Sequence, residues 1–263
     1  MSEHRLRKDL GQHFLTRPEV CAPLLDYLRP AGRTVIEVGP GSGVLTGELA
    51  AAGGRVVAWE LDPRWAFDLR RTAGSVPLRI VLGDALDIPF DRLPEGSLVA
   101  GNLPYGISTR LVLDCLEAAH RRPGRIERAA FLVQLEVAER LLARPSDGAY
   151  GSLSVLVRAL ADAELLGRVR PGAFRPPPKV ESAFVGLAPR SDRIEPQRYE
   201  RFRELVRAAF ALRRKTLRNS LAAAWGARRA AALLEATGLD SKVRAEALDV
   251  ADFAALAERL PGE

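Results

Sequence analysis

Up to Pro189 the chain alternates short runs dense in β-branched and apolar residues with helix-length amphipathic segments. Thr34–Val38, Arg55–Glu60, Leu78–Gly83, Ser97–Gly101 and Ala129–Gln134 read as strands, with helices between them. Runs such as Val35-Ile36-Glu37-Val38 and Val56-Val57-Ala58-Trp59 are apolar almost throughout, which suits parallel strands covered on both faces. The βαβ alternation predicts a doubly wound α/β fold with a mainly parallel sheet.

After Leu160 the pattern changes. Strands are expected at Ala163–Val169 and Ser182–Leu187, enclosing the stiff, exposed loop Phe174-Arg175-Pro176-Pro177-Pro178. From Pro189 onward only helical periodicity remains, in Tyr199–Leu212, Lys215–Trp225, Arg228–Thr237 and Val250–Leu260. The expected organisation is an α/β domain over residues 1–188 and a small all-α domain over 189–263, joined by the polar stretch Pro189–Pro196.

A length of 263 residues accommodates both domains, and 47% hydrophobic content excludes a disordered chain. Cys21 and Cys115 belong to no CxxC pair or Cys/His cluster, so neither a disulfide framework nor a zinc site is indicated, and a reduced cytoplasmic setting follows. His4, His13 and His120 show no metal-ligand spacing, and His120 beside Arg121-Arg122 reads as a helix end. Met1–Gln12 is charged and lacks an apolar core, and no run approaches the roughly 18 apolar residues of a membrane span. A soluble, unprocessed monomer with no membrane partner is expected. The formal charge of +6, carried mostly by Arg, attracts polyanions, nucleic acid first and anionic membrane second.

Glu37-Val38-Gly39-Pro40-Gly41-Ser42-Gly43 follows the first strand and opens a helix, where glycines let the backbone turn tightly and approach a nucleotide-like ligand. The GxGxG spacing is not the GxGxxG of dinucleotide binders, and no Lys-Ser/Thr of a phosphate cradle follows. A cofactor without a pyrophosphate is indicated. Glu60, followed by Leu61, ends the second strand about 20 residues downstream, where a carboxylate accepts hydrogen bonds from ribose hydroxyls. The third strand ends in Gly83-Asp84-Ala85, which adds a carboxylate suited to an adenine amine. Taken singly, Gly39 and Gly41 fit an ordinary turn, and Glu60 and Asp84 fit a helix cap or a solvated strand end. Jointly they aim three strand ends at one crevice.

The fourth strand runs into Asn102-Leu103-Pro104-Tyr105. An adenine exocyclic amine is a poor nucleophile because its lone pair is delocalised into the ring. Acceptance of its two N–H bonds by the Asn102 side-chain oxygen and by the Leu103 or Pro104 carbonyl would favour a pyramidal nitrogen, with no strong base required. Tyr105 offers a face for stacking an extruded base; packing of Tyr105 in the core is the competing reading. In the Tyr199–Leu212 segment Arg203 and Arg207 share one face, and a break near Leu212 would release Arg213-Arg214-Lys215 into a basic corner, with Arg218 following. That cluster meets either RNA phosphates or only solvent.

With these residues in place, the chain resembles the ribosomal RNA adenine dimethyltransferases, most closely their small-subunit branch. The resemblance spans nearly the whole chain. It is carried by Gly11-Gln12-His13-Phe14-Leu15, by the Glu37–Gly43 and Asn102–Thr109 segments, by Phe174-Arg175-Pro176-Pro177-Pro178-Lys179-Val180-Glu181-Ser182-Ala183 and by Arg213–Leu221. It implies a Rossmann-like class I methyltransferase fold that uses S-adenosylmethionine. It further implies that His13, Leu15, Gly39, Glu60, Asp84 and Asn102 line the cofactor site, while Tyr105 and Phe174 flank the target adenine. His13 departs from the Asn often found there, and an imidazole replaces only part of an amide's hydrogen-bonding set. The implied reaction adds two methyl groups to each of two adjacent adenosines near the 3′ end of small-subunit ribosomal RNA, free or in a pre-assembled small subunit. Two alternatives share the fold: a large-subunit methyltransferase of the macrolide-resistance type, and a catalytically silent nucleic-acid-binding protein such as the related mitochondrial transcription factors.

Overall fold

The computed structural model describes residues 13–74 and 76–260. Gly11-Gln12, the charged Met1–Gln12 segment and His4 lie outside the described residues. In chain order the elements are β1 (Phe14–Leu15), α1 (Ala22–Leu28), β2 (Thr34–Val38), α2 (Val44–Ala51), β3 (Arg55–Glu60), α3 (Pro63–Thr72), β4 (Leu78–Leu82), β5 (Ser97–Asn102), α4 (Ser108–Arg121), β6 (Ile126–Gln134), α5 (Leu135–Leu142), α6 (Ser152–Leu160), β7 (Ala161–Val169), β8 (Phe174–Arg175), β9 (Ser182–Pro189), α7 (Tyr199–Ala209), α8 (Leu217–Trp225), α9 (Ala227–Thr237) and α10 (Val250–Glu258).

Seven strands form one sheet in the order β4-β3-β2-β5-β6-β9-β7. The first five are parallel, and β9 runs antiparallel to β6. The chain leaves β2 toward β3 and β4 on one side and returns to β5 and β6 on the other, so the strand order reverses between β2 and β5. In open α/β sheets ligands bind outside the carboxyl ends of the strands at such a switch point. Val38 sits opposite Trp59 and Gly101, and Glu60 opposite Leu82, which brings four strand ends to one edge.

The apolar runs are buried as a doubly covered sheet requires. Val35, Val56, Ala58, Leu98, Ala100, Ala130, Leu132 and Phe184 share a core cluster with Leu24, Leu28, Leu45 and Leu49 of α1 and α2. Helix starts follow their capping residues: Asp62 accepts the Arg64 N–H at 2.9 Å ahead of Pro63, and Thr216 accepts the Asn219 N–H at 3.3 Å.

Several boundaries differ from the sequence-based expectation. β6 and β7 start earlier, at Ile126 and Ala161, because they continue into a sheet that supplies partners the local pattern does not announce. β9 runs through Pro189, so the polar connection opens inside a strand. α7 ends at Ala209, three residues before Leu212, and α8 begins at Leu217 rather than Lys215, where Thr216 caps it.

The chain divides into two compact units, residues 1–138 with 162–189 and residues 139–161 with 190–263. This is not the contiguous division expected from sequence, since α6 groups with the C-terminal helices. Leu153, Val155, Leu156, Val157 and Leu160 of α6 are all buried, and α6 packs on α7 and α10. A helix this apolar satisfies either a sheet or a helical bundle, and only tertiary contact decides which. Among the described residues no helix is long and apolar enough to cross a membrane.

Candidate active site

The carboxyl edge of the first unit's sheet holds a cavity of about 310 Å³. Its wall includes His13, Phe14, Leu15, Glu37, Gly39, Gly41, Glu60, Leu61, Asp84, Ala85, Asn102, Leu103, Pro104 and Tyr105. The nine residues predicted to bind a cofactor and the whole Asn102–Tyr105 turn therefore meet in one place, although they come from five separate stretches of chain.

Beneath this wall the Gly39–Gly43 loop turns back on Glu60. Gly41 has φ +51°, and a Cβ added there would lie 2.4 Å from the Phe14 ring, so the loop and the aromatic ring share a space only glycine leaves open. Phe14 in turn lies 4.6 Å from the Trp65 ring, centroid to centroid. The Glu60 carboxylate accepts the Gly41 N–H at 3.0 Å through Oε2 and the Asp62 N–H at 2.9 Å through Oε1. Burial raises its pKa, and these N–H bonds offset part of the rise. Each oxygen keeps a further lone pair. Asp84 accepts the Leu86 N–H at 2.9 Å through Oδ1, so it caps a short helical turn and lines the cavity at once.

Asn102 has its amide orientation set. Its Nδ2 donates to the His13 carbonyl at 2.7 Å, which leaves Oδ1 as an acceptor with no protein donor among the described residues. Leu103 is buried and its N–H donates to the Leu132 carbonyl at 3.0 Å, anchoring the turn to β6. The Pro104 carbonyl receives the Ile107 N–H at 3.2 Å. Tyr105 is half-buried; its ring lies 5.2 Å from that of His13, and its hydroxyl lies 3.4 Å from Ser182 Oγ. Burial raises the Tyr105 pKa, with the Ser182 contact acting the other way. His13 Nδ1 lies 2.8 Å from the Pro176 carbonyl and donates to it, which ties the proline loop to the cavity rim.

Phe174 stands apart. β8 pairs with β1, with Leu15 opposite Phe174, and the Phe174 side chain is buried in the core cluster rather than on the cavity wall. A two-strand ribbon presents alternate residues to opposite faces, and at this position the core claims the ring.

Among the wall residues that were not predicted are Phe14 and Glu37. Phe14 was part of a quoted motif without a role. Glu37 was read as one position of an apolar strand, and its signal was the lone carboxylate in that strand. Glu37 is 1% exposed, and its Oε2 has no hydrogen-bond partner. Burial pushes its carboxyl up to about 8; the Thr46 hydroxyl works against the rise and the Glu60 charge adds to it.

The six arginine and lysine candidates all lie in the second unit. Arg207, Arg213, Arg214, Lys215 and Arg218 are exposed, and the expected basic corner follows the end of α7, with Arg214 at φ +61°. Arg203 differs: it pairs with Glu200 at 2.6 Å and its side chain is 26% exposed, because the i,i+3 carboxylate on α7 reaches it. Cys21 and Cys115 are buried free thiols, and burial pushes both upward, Cys21 to about 12. Neither is poised as a nucleophile. No group of three His, Cys, Asp or Glu side chains suited to a metal occurs among the described residues.

A family model described as ribosomal RNA adenine dimethylase matches residues 3–261. The chain is 42% identical over 255 residues to the ribosomal RNA small subunit methyltransferase A of Thiobacillus denitrificans, covering 96% of this chain and 97% of that one. It is 31% identical to a solved structure of the 23S rRNA methyltransferase ErmE, with a TM-score of 0.67 over 94% of this chain and 99% of the other. A dimethyladenosine transferase from Plasmodium falciparum, 24% identical, gives a TM-score of 0.78 over 93% of this chain and 96% of its own, a likeness of fold.

Proposed function

The chain belongs to the ribosomal RNA adenine dimethylase family, and from that premise we propose that it dimethylates N6 of two adjacent adenosines near the 3′ end of small-subunit ribosomal RNA, with S-adenosylmethionine as methyl donor. As a family member it is a methyltransferase of ribosomal RNA adenine.

The cavity suits that donor. Three carboxylates, Glu37, Glu60 and Asp84, line it together with apolar side chains, and none of its lining residues is a Lys or Arg. Such a wall disfavours a pyrophosphate and favours a nucleoside that carries positive charge. Gly39, Gly41 and Leu15 would hold the donor with Phe14 beside them, Glu60 would accept from ribose hydroxyls, and Asp84 with Leu61 and Ala85 would face the base. When bound, the donor supplies an electrophilic methyl group on a sulfonium sulfur.

The observation that carries the reading is the orientation of Asn102: with Nδ2 committed to the His13 carbonyl, Oδ1 is presented as an acceptor on the cavity wall. There it can take one N–H of an adenine amine. The Leu103 carbonyl, or the remaining lone pair of Pro104, takes the other. Drawing both hydrogens to one side frees the nitrogen lone pair for the methyl carbon, and the displaced amine proton leaves to solvent. After one transfer a single N–H remains, so either acceptor then suffices. Tyr105 offers a half-buried ring for base stacking. Phe174, buried in the core cluster, supports the β1–β8 ribbon behind His13, and we assign it no direct stacking contact.

Small-subunit rather than large-subunit RNA is favoured by identity over nearly full length, 42% to the small-subunit relative against 31% to the 23S enzyme. The exposed Arg207, Arg213, Arg214, Lys215 and Arg218 supply the phosphate attraction, with Arg203 reduced to a paired contributor. We propose a cytoplasmic monomer. Labelled methyl transfer to unmethylated small subunits, with large subunits as control, tests the whole reading. Incorporation into large subunits alone, or into neither, would overturn it.

A further inference from the structure

α3 carries an aromatic side chain that no part of the described protein covers. Among the described large apolar residues Phe67 is the most exposed, at 67%. The other side of α3 faces inward: Leu69 belongs to the core cluster, and the Trp65 ring lies 4.6 Å from that of Phe14, on the cavity wall. Leu61, which leads into α3, lines the same cavity and is itself exposed. The outward face of α3 therefore starts at the cavity rim.

Helix spacing sets the neighbours of Phe67. Arg64, Arg70 and Arg71 stand three before, three after and four after it, so all three flank the ring on one face. Asp68 lies about 100° round the helix from Phe67 and off that face. Arg64 is held by Asp62, with Nη2 2.5 Å from Oδ2. Arg70 and Arg71 are exposed, and neither forms a side-chain hydrogen bond or ion pair among the described residues. The helix dipole favours two cations in the last turn, but it gives no reason for a bare ring among them. A second copy of the chain would set arginine against arginine across a two-fold axis, and an apolar partner would strip water from both free guanidiniums. A polyanion with flat, unpaired rings meets the ring and the charges at once.

We propose that the outward face of α3 is an RNA-docking surface: Phe67 stacks on an unpaired base of the strand flanking the target adenosine, while Arg70 and Arg71 hold its phosphates. This rests on the reading of the chain as a ribosomal RNA methyltransferase. The surface is distinct from the basic corner after α7, which belongs to the other unit. Its two components separate by salt. Each lost phosphate contact lowers the slope of log affinity against log salt by about 0.7 for a single strand, whereas a lost stacking contact lowers affinity about tenfold at every salt. Neither Phe67, Arg70 nor Arg71 lines the cavity, so S-adenosylhomocysteine affinity stays unchanged.

Fluorescence anisotropy of a labelled RNA fragment from the small-subunit 3′ end, titrated with the full chain over a range of salt, reads both components. Phe67→Ala should weaken binding about tenfold with the slope unchanged, and Phe67→Tyr should restore it. Arg70→Gln with Arg71→Gln should lower the slope by about 0.7 per contact. Unchanged affinity in Phe67→Ala together with an unaltered slope in the arginine variant overturns the proposal. An equal Phe67→Ala loss on a blunt RNA duplex of the same length shows that the ring does not stack on a base, and refutes the assignment. A Phe67-dependent dimer in sedimentation, with RNA affinity unchanged, gives the face to a second copy and also overturns it. Labelled methyl transfer to unmethylated small subunits runs beside these titrations. Transfer by the unaltered chain with no effect of the variants on RNA affinity removes the docking surface alone. Absence of transfer removes the methyltransferase reading, and the affinity series still decides whether α3 binds RNA.

Discussion

Asn102 takes its orientation from a backbone carbonyl 89 residues away in sequence, that of His13. Replacing Asn102 by Ala removes the acceptor offered to the adenine amine, and labelled-methyl assays should show a fall of about 100- to 1000-fold in kcat, the usual consequence of losing one preorganised hydrogen-bonding partner. Residual full dimethylation at the normal rate would show that the oxygen is not used. Glu37 bears on stability. Its folded-state carboxyl near 8 lies above the ordinary carboxylate range, so between those values the folded chain binds the extra proton and the empty protein loses stability as pH rises. The slope is about 1.4 kcal/mol per pH unit where the proton is fully at stake. Thermal melts of the empty protein should show Tm falling toward pH 8, and Glu37→Gln should flatten that curve. Gly41→Ala carries two costs, a left-handed backbone worth about 1–2 kcal/mol of strain and a Cβ 2.4 Å from the Phe14 ring. A lower Tm together with weaker S-adenosylhomocysteine binding is expected, and unchanged binding would mean that Phe14 is not part of the donor site.

At the scale of elements, the Asn102–Tyr105 turn is held in place because β5 is pinned on both sides. Its neighbours β2 and β6 hold it in parallel register, and the Leu103 N–H extends the ladder onto Leu132 past the end of the strand. A turn held this way presents acceptors without the reorganisation a free loop would need. The corner between α7 and α8 is built differently: α7 stops at Ala209, Arg214 adopts a left-handed conformation, and Thr216 caps α8. Thr216→Ala should therefore cost about 1 kcal/mol in denaturant unfolding. The effect should be confined to stability, so cofactor affinity serves as the internal control. Reversing charge at Arg213 and Arg214 should weaken RNA binding and reduce its salt slope by about 0.7 per lost contact to single-stranded phosphate. An unaltered slope would leave the corner as solvated charge.

For the whole molecule, the net charge of +6 predicts long-range attraction to RNA that fades as salt is added. Much was legible from the chain alone. β2 and β3 fall on the expected residues because strands buried on both faces are apolar throughout, and that pattern is written locally. The carboxyl-edge site was legible for a similar reason: a parallel sheet puts every residue that ends a strand at one edge, so Gly39, Glu60, Asp84 and Asn102 had to converge once the topology was granted. What the local pattern lacked was any competition between surfaces. α6 carries an apolar face that a sheet or a bundle would accept equally, and it groups with the C-terminal helices; Phe174 could serve a cavity or a core, and the core takes it. Arg203 was countable as a positive charge, and its i,i+3 pairing with Glu200 follows from the helix spacing of α7 alone. The residue types and their periodicity thus determined the fold class and which polar side chains stand at the strand ends, because those depend on near neighbours. The tertiary structure alone decided which apolar faces meet, which polar atoms find partners, and that one Glu37 oxygen finds none, because burial is a property of the assembled chain.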